Sequence, residues 1–461
     1  MANDGSRTID VEALEKSIDE KLRSDSPLSA KCCIFKVPEV LRRHKPEAYQ
    51  PDVVSIGPFH HQSGKKFEHM ENVKHWYLKN LLSRLGVSLK TLIERIDVVE
   101  FGREARGLYA DPLNELNQND FIEMMILDGC FLLELFWRCQ INNLKLFLTT
   151  IEDVNAEVEL GIGMQQVDAW NQILDIDNDS IFNMHCMVQY LCHDLLLLEN
   201  QLPWFVLERL YSLTIGLGKP NPQTSLIHLV LSFFSTVSSL AQHCACYSSC
   251  SQNNILHILD LIRRTIVDPF EECKSSTNTE TNLLSATILS EAGVEFKQGS
   301  IDGNIMNIDF KNGVLTIPKL AIAELTEPLF RNLIAFEQCY HHCEHKVTSY
   351  ALLMSNLIAS SKDAHFLRKK EILSNWLSAE DAFSFFDKLY SDTLLRDFCY
   401  GGLCAEVNEY HKHRRNKWRA KLKRDHCSNP WKIISLVAAF ILLVLTTLQT
   451  AFTIQQYYFP R

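Results

Sequence analysis

FIEMMILDGCFLLELFW, residues 121–137, is apolar on nearly every side of a helical wheel, which marks a helix at the centre of a fold and not one on its surface. Asn119 and Asp120 stand before it as an N-cap pair. Asp128 and Glu134 are embedded in it, where an unpaired charge is costly. A second stretch of the same kind runs from Ser180 through Tyr190 to Leu198; it carries His193 and Asp194 and leads into Glu199, Asn200 and Gln201. Pro203 breaks that helix and pre-organises the next, Trp204 to Leu213.

Outward toward the N-terminus, Met70, Val73, Tyr77, Leu81 and Leu85 recur at helical spacing until Gly86, placed as a C-terminal cap. Another helix begins at Ser88. Before them Val53 to His61 reads VVSIGPFHH, a run that Gly57-Pro58 bars from any regular element. Residues 1–27 are a polar arm, and Cys32 to Leu41 is a short apolar segment turning at Pro38. Toward the C-terminus, loops fall at 216–224 and 243–254, Ile255 to Val267 reads as a helix, and residues 274–282 (KSSTNTETN) are solvated. Asn312-Gly313 is a favoured two-residue turn joining Met306, Ile308, Phe310 to Leu315, Ile317, which predicts an antiparallel hairpin, with Val294 to Lys297 as a third strand. Helices are expected again from Thr326, over Tyr350 to Ile358, Arg368 to Trp376, Ala379 to Tyr390 and Tyr400 to Trp418.

The last long feature is IISLVAAFILLVLTTLQTAFTI, residues 433–454, without one charge. A bilayer core of about 30 Å needs roughly 20 apolar residues at ~1.5 Å rise each, so this segment is long enough to cross. A buried core helix is the alternative, but such helices usually run shorter and carry a polar stripe. Its hydroxyls, on Ser435, Thr446, Thr447, Thr450 and Thr453, can bond back to the helix's own carbonyls. Before it lie Lys412, Arg414, Arg415, Lys417, Arg419, Lys421, Lys423, Arg424 and Lys432; after it only Arg461 is basic. The positive-inside rule therefore places the body in the cytosol, and Trp431, Tyr457, Tyr458 and Phe459 supply rings at headgroup depth. With a polar, acidic N-terminus in place of a secretory leader, the expected organisation is tail-anchored: arm 1–27, mainly helical cytosolic domain 28–410, basic juxtamembrane segment 411–432, span 433–454 and exoplasmic tail 455–461.

The formal net charge of the 461 residues is −10. From Lys412 onward, ten Lys or Arg against Asp425 give +9, which leaves −19 for the rest. An acidic body repels nucleic acid, so no nucleic-acid partner is expected, whereas the basic collar suits anionic lipid headgroups. Fifteen cysteines scattered through a long chain without a leader read as reduced thiols, most of them small core residues.

Several stretches, taken together, resemble the plant family called domain of unknown function 247, often labelled UPF0481. They are Val54 to His61, Met70-Glu71, Met125 to Phe131, Asp194 to Pro203, Ala292-Gly293-Val294, Thr326 to Cys339, Thr348-Ser349-Tyr350 and Asn416 to Ala420, collinear from about residue 32 to 455. Phe59 stands where Tyr is commoner, and His193 where a basic residue is expected. The resemblance implies a membrane-tethered plant protein, with some relatives implicated in cell recognition such as grass self-incompatibility. It implies no chemistry.

Chemistry has few footholds. Asp128, Glu134, Asp194 and Glu199 can be read as acid and base groups with raised pKa. The structural reading is that each caps a helix or pairs with a cation such as Arg209 or Arg331, and it is the expected one. His60 and His61 follow a rigid Gly-Pro corner, where a general base, or a metal ligand with Glu71, is conceivable. Cys339, His341, His342, Cys343 and His345 resemble a zinc cluster, as do Cys244, Cys246 and Cys250, but neither set has paired C-x2-C spacing, and no metal is expected. No GxGxxG, P-loop, HExxH or GxSxG occurs, so no cofactor is expected either. The sequence thus favours a tail-anchored recognition or signalling scaffold with protein partners, at the plasma membrane before the endoplasmic reticulum. The alternative is a membrane-anchored enzyme with a pocket of His60, His61 and buried carboxylates.

Overall fold

The computed structural model describes residues 10–22, 31–61, 64–111, 113, 116–150, 172, 174–184, 186–215, 225–236, 254–270, 281–300, 304–375, 378–412 and 430–458. In chain order the helices begin α1 Val11–Leu22, α2 Glu39–Arg42, α3 Glu68–Leu85, α4 Leu89–Arg95, α5 Val98–Arg106, α6 Gln118–Thr150, α7 Met187–Leu195, α8 Trp204–Ile215, α9 Leu226–Ser235, α10 Ile258–Val267 and α11 Ala286–Glu291. Strands β1 Glu295–Gln298, β2 Asp309–Lys311, β3 Val314–Ile317 and β4 Leu320–Ile322 follow. Then come α12 Thr326–Cys339, α13 Lys346–Leu357, α14 Ser361–Lys369, β5 Leu373–Asn375, α15 Ala379–Leu389, α16 Gly401–Lys412 and α17 Pro430–Tyr458. The protein is mainly helical. It divides into two compact units, Met1–Asp268 with Glu324–Glu344, and Pro269–Ala323 with His345–Arg461.

The first unit is built round α6. Phe121, Met125, Cys130, Phe131, Leu132, Leu135 and Phe136 are wholly buried along it, as the all-round apolar pattern requires. Its start is fixed by Asn117, whose Oδ1 accepts the Asp120 N–H at 2.9 Å, so the capping residue is two positions before the expected pair. Rings key the neighbours to it: Tyr77 of α3 lies 5.2 Å from Phe131, and Phe233 of α9 lies 5.2 Å from Phe136. Gly129 leaves room for the Leu210 side chain of α8. α3 ends at Gly86 in the left-handed conformation (φ +65°), and α4 starts where the Ser88 side chain accepts the Thr91 N–H at 3.2 Å. The helix expected from Ser180 to Leu198 is shorter. Residues 180–184 are turns, and α7 covers Met187–Leu195 alone. The reason is local: Asn200 donates to the Asp194 carbonyl at 2.9 Å and Gln201 to the Leu195 and Leu197 carbonyls at 2.8 Å each, so side chains take acceptors that another helical turn would have used.

In the second unit the expected antiparallel hairpin proves to be part of a mixed sheet of order β1-β3-β2. Across Asn312 (φ +53°) and Gly313 (φ +82°), β2 pairs antiparallel with β3, while β1 pairs parallel with β3. Phe310 and Leu315 face inward, with Phe310 5.6 Å from the Tyr410 ring of α16. A Cβ at position 313 would collide with that same Tyr410 ring. A second correction concerns residues 368–376, expected as helix. α14 stops at Lys369, Glu371 turns the chain at φ +60°, and Leu373, Ser374 and Asn375 pair parallel with Leu320, Ala321 and Ile322.

α17 is long and apolar enough to span a membrane, and its window Ala438–Gln455 carries no charge and is 0% buried. Its hydroxyls turn inward on the helix: Thr447 donates to the Val444 carbonyl at 2.7 Å and Thr453 to the Gln449 carbonyl at 2.8 Å. Most of the basic segment (413–429) and the last residues (459–461) lie outside the described residues.

Candidate functional site

The Gly57-Pro58 corner and the junction after α7 are stitched together by three buried polar side chains. Asp194 accepts the Asp52, Val53 and Val54 N–H groups at 2.7, 2.7 and 2.8 Å. Asn200 accepts the Ile56 N–H at 2.7 Å and donates to the Val54 carbonyl at 3.1 Å. Asp128 accepts the Gly57 N–H at 2.8 Å. An irregular buried strip has no ladder to satisfy its backbone, so side chains from α6 and the junction do so instead. Gly57 is at φ +72°, and a Cβ there would meet the Gln201 carbonyl oxygen at 2.8 Å. Gly57→Ala is therefore expected to cost about 2 kcal/mol or more, read as a lowered urea midpoint with an unchanged slope.

Each of the sequence's candidate carboxylates has found a partner, and none is Arg209 or Arg331. Asp128 takes the Lys74 ammonium at 2.7 Å, which also donates to the Ser55 carbonyl at 2.5 Å and to Glu71 at 2.6 Å. Burial alone pushes this lysine's pKa down, but Asp128 and Glu71 more than reverse it, so Lys74 stays charged at 1% exposure. Glu134 takes Arg84 at 2.7 Å and lies 3.4 Å from Arg138. Arg138 pairs with Asp179 at 2.9 Å, and the Trp76 and Tyr77 rings stand 4.7 and 4.6 Å from its guanidinium. Arg209 is exposed, and Arg331 pairs with Glu327 at 2.8 Å.

Glu199, 4% exposed, is the least buried of the four candidate carboxylates. One oxygen accepts the Val37 N–H at 2.6 Å and the Arg42 guanidinium; the other lies 3.3 Å from His60 Nε2. The His60 side chain is 14% exposed, while His61 is exposed and makes no hydrogen bond or ion pair among the described residues. Glu71, considered as a metal partner for these histidines, is engaged by Lys74 instead. The structure thus brings His60 to Glu199 and leaves His61 apart.

Among the described residues, Asp52, His193 and Asp194 are the one group whose ligand atoms gather within 4.8 Å. Asp194 is poorly suited to a cation, because three backbone N–H groups and His193 Nδ1, at 2.9 Å, already fill its lone-pair directions. The Cys339 to His345 run is not gathered into such a group, and burial pushes the Cys339 and Cys343 thiols up to about 12. Cys244, Cys246 and Cys250 lie outside the described residues.

A family model described as DUF247, plant protein of unknown function, matches residues 34–445. The chain belongs to this family. It is 28% identical over 456 residues to UPF0481 protein At3g47200 of Arabidopsis thaliana, covering 92% of this chain and 87% of that protein. It is 22% identical over 546 residues to Putative UPF0481 protein At3g02645 of the same plant, covering 95% and 93%. No solved structure matches. Three of the stretches that carried the DUF247 resemblance, Val54 to His61, Met125 to Phe131 and Asp194 to Pro203, meet in the buried network. Sequence reading missed the cations of that network. Lys74 interrupts the apolar stripe of α3 beside Val73 and Tyr77, and Arg138 follows Glu134 at i+4 in an apolar helix; a charge inside an apolar face was the available signal.

Proposed function

We propose that this DUF247 protein is a tail-anchored recognition or signalling scaffold of plant membranes. Residues 28–410 form its cytosolic body, 411–432 touch anionic headgroups, 433–454 span the bilayer and 455–461 emerge beyond it. The observation that carries the reading is the use made of the buried carboxylates: Asp128, Glu134 and Asp194 are engaged by the chain's own backbone and cations, which supports a role in holding the fold and not in turning over a substrate. The charge-free stretch 433–454 of α17 supports the anchor, with the plasma membrane proposed over the endoplasmic reticulum. Topology is tested with a glycosylation acceptor fused after Arg461. It is expected to be modified, while Asn178-Asp179-Ser180 stays unmodified; the reverse pattern defeats the orientation.

One observation favours the alternative of an anchored enzyme: the His60 side chain, 14% exposed, sets its Nε2, which makes no hydrogen bond among the described residues, 3.3 Å from Glu199, an imidazole beside a carboxylate. Replacing His60 and His61 by alanine separates the two. The scaffold reading expects a folded protein that keeps its membrane partners and changes no metabolite of the expressing tissue. Loss of one specific metabolite conversion, with folding and partners intact, establishes the enzyme.

A further inference from the structure

Helix α1 and a shallow concavity of the first unit are complementary pieces that neither the buried network nor the anchor uses. Val11, Leu14 and Ile18 stand at i, i+3 and i+7 and are 69%, 51% and 46% exposed. Glu12, Glu15 and Asp19, all exposed, run along one flank of this stripe. A lone helix of 12 residues is marginal in water, so the stripe calls for a surface. An anionic bilayer repels that acidic flank. The concavity, about 490 Å³, lies between the C-terminal half of α3 and the start of α4. Leu78, Leu82 and Leu89 line it, with His75 and Lys79 along the α3 wall. Lys79 is exposed and pairs with no carboxylate among the described residues. The stripe rises ~10 Å from Val11 to Ile18 and the α3 wall ~16 Å from His75 to Gly86, so the helix fits lengthwise.

We propose that α1 of one copy docks in the α3–α4 concavity of a second copy, with its apolar stripe on Leu78, Leu82 and Leu89 and its acidic flank toward His75 and Lys79. One such contact is small for a stable interface; exchanging two arms between two copies doubles it. Confinement to one membrane plane raises the effective concentration further, a step that rests on the anchored reading. The test places full chains carrying donor and acceptor dyes in phosphatidylcholine vesicles and measures energy transfer between copies, after flotation has shown that the protein is inserted. Leu14→Glu with Ile18→Glu, both on an exposed face, is expected to cut pairing at least about tenfold, and Lys79→Glu or Glu15→Lys alone a few-fold. Mixing the Lys79→Glu copy with the Glu15→Lys copy restores pairing, because the reversed arm meets the reversed wall. Absence of transfer in the unaltered chain, or transfer indifferent to Leu14 and Ile18, overturns the docking; so does an arm that closes on its own copy, read as transfer within single molecules only. Failure to float defeats the anchor alone, and the same transfer measured at high concentration in solution then decides the docking.

Discussion

Asp128→Ala is expected to destabilise the protein by about 3–5 kcal/mol, because it strips the principal counter-charge from an ammonium that has almost no access to water. Lys74 is 1% exposed, and after the substitution it keeps only the Ser55 carbonyl and the half-buried Glu71. The Gly57 N–H, 2.8 Å from Asp128, loses its acceptor as well. A buried unpaired charge costs far more than the pair contributes, so the informative comparison is a double-mutant cycle. Asp128→Asn keeps an acceptor for Gly57, and Lys74→Met removes the cation while conserving most of the volume. The double variant is expected to lie within about 1–2 kcal/mol of the unaltered protein, although each single change is worse. Urea unfolding of the full chain in mild detergent, followed by tryptophan fluorescence, supplies the four values. Strict additivity would mean that the two groups do not sense each other, which the 2.7 Å contact rules against.

The elements read from the sequence were those with local causes. Gly86 stops α3 through its own left-handed backbone, Ser88 opens α4 through its own hydroxyl, and Asn312-Gly313 folds β2 onto β3 through its own positive φ values. What escaped was non-local. β5 is three residues long and exists because Leu373 meets Leu320, a partner that no periodicity over residues 368–376 announces. α7 is short because Asn200 and Gln201 fold back on its carbonyls, a competition between side chain and backbone that hydrophobic pattern does not record. The site divides in the same way. Carboxylates in apolar helices were conspicuous as costs, but their cations come from α3, from the α2 turn and from one further turn along α6. Arg209 and Arg331 looked equally eligible before packing chose Lys74, Arg84, Arg138 and Arg42.

Acid is expected to weaken the first unit through His257. This imidazole is wholly buried, its Nδ1 accepts the Asp260 N–H at 3.1 Å as the cap of α10, and the Phe336 ring lies 4.8 Å away. Burial pushes its pKa down to about 3, a fall that the Cys33 backbone offsets only in part and that Arg264 reinforces. In the unfolded chain the same group takes its proton near the ordinary value of about 6.5. Between those two values the unfolded state binds more protons, so stability is full above the unfolded value and falls by about 1.4 kcal/mol per pH unit as the solution is acidified. From pH 7 to pH 4 the loss from this group alone comes to about 3 kcal/mol. His257→Asn keeps a short acceptor suited to an N-cap and removes the titration. It is expected to be less stable at pH 7, where the lost ring packing dominates, and to close that gap as the pH falls. Asp260, whose carboxyl burial pushes upward, is present in both proteins and largely cancels from the difference. A difference in unfolding free energy that stays constant from pH 7 to pH 4 would show that His257 accepts its proton in the folded state as readily as in the unfolded one, and that the α10 cap opens without unfolding the unit.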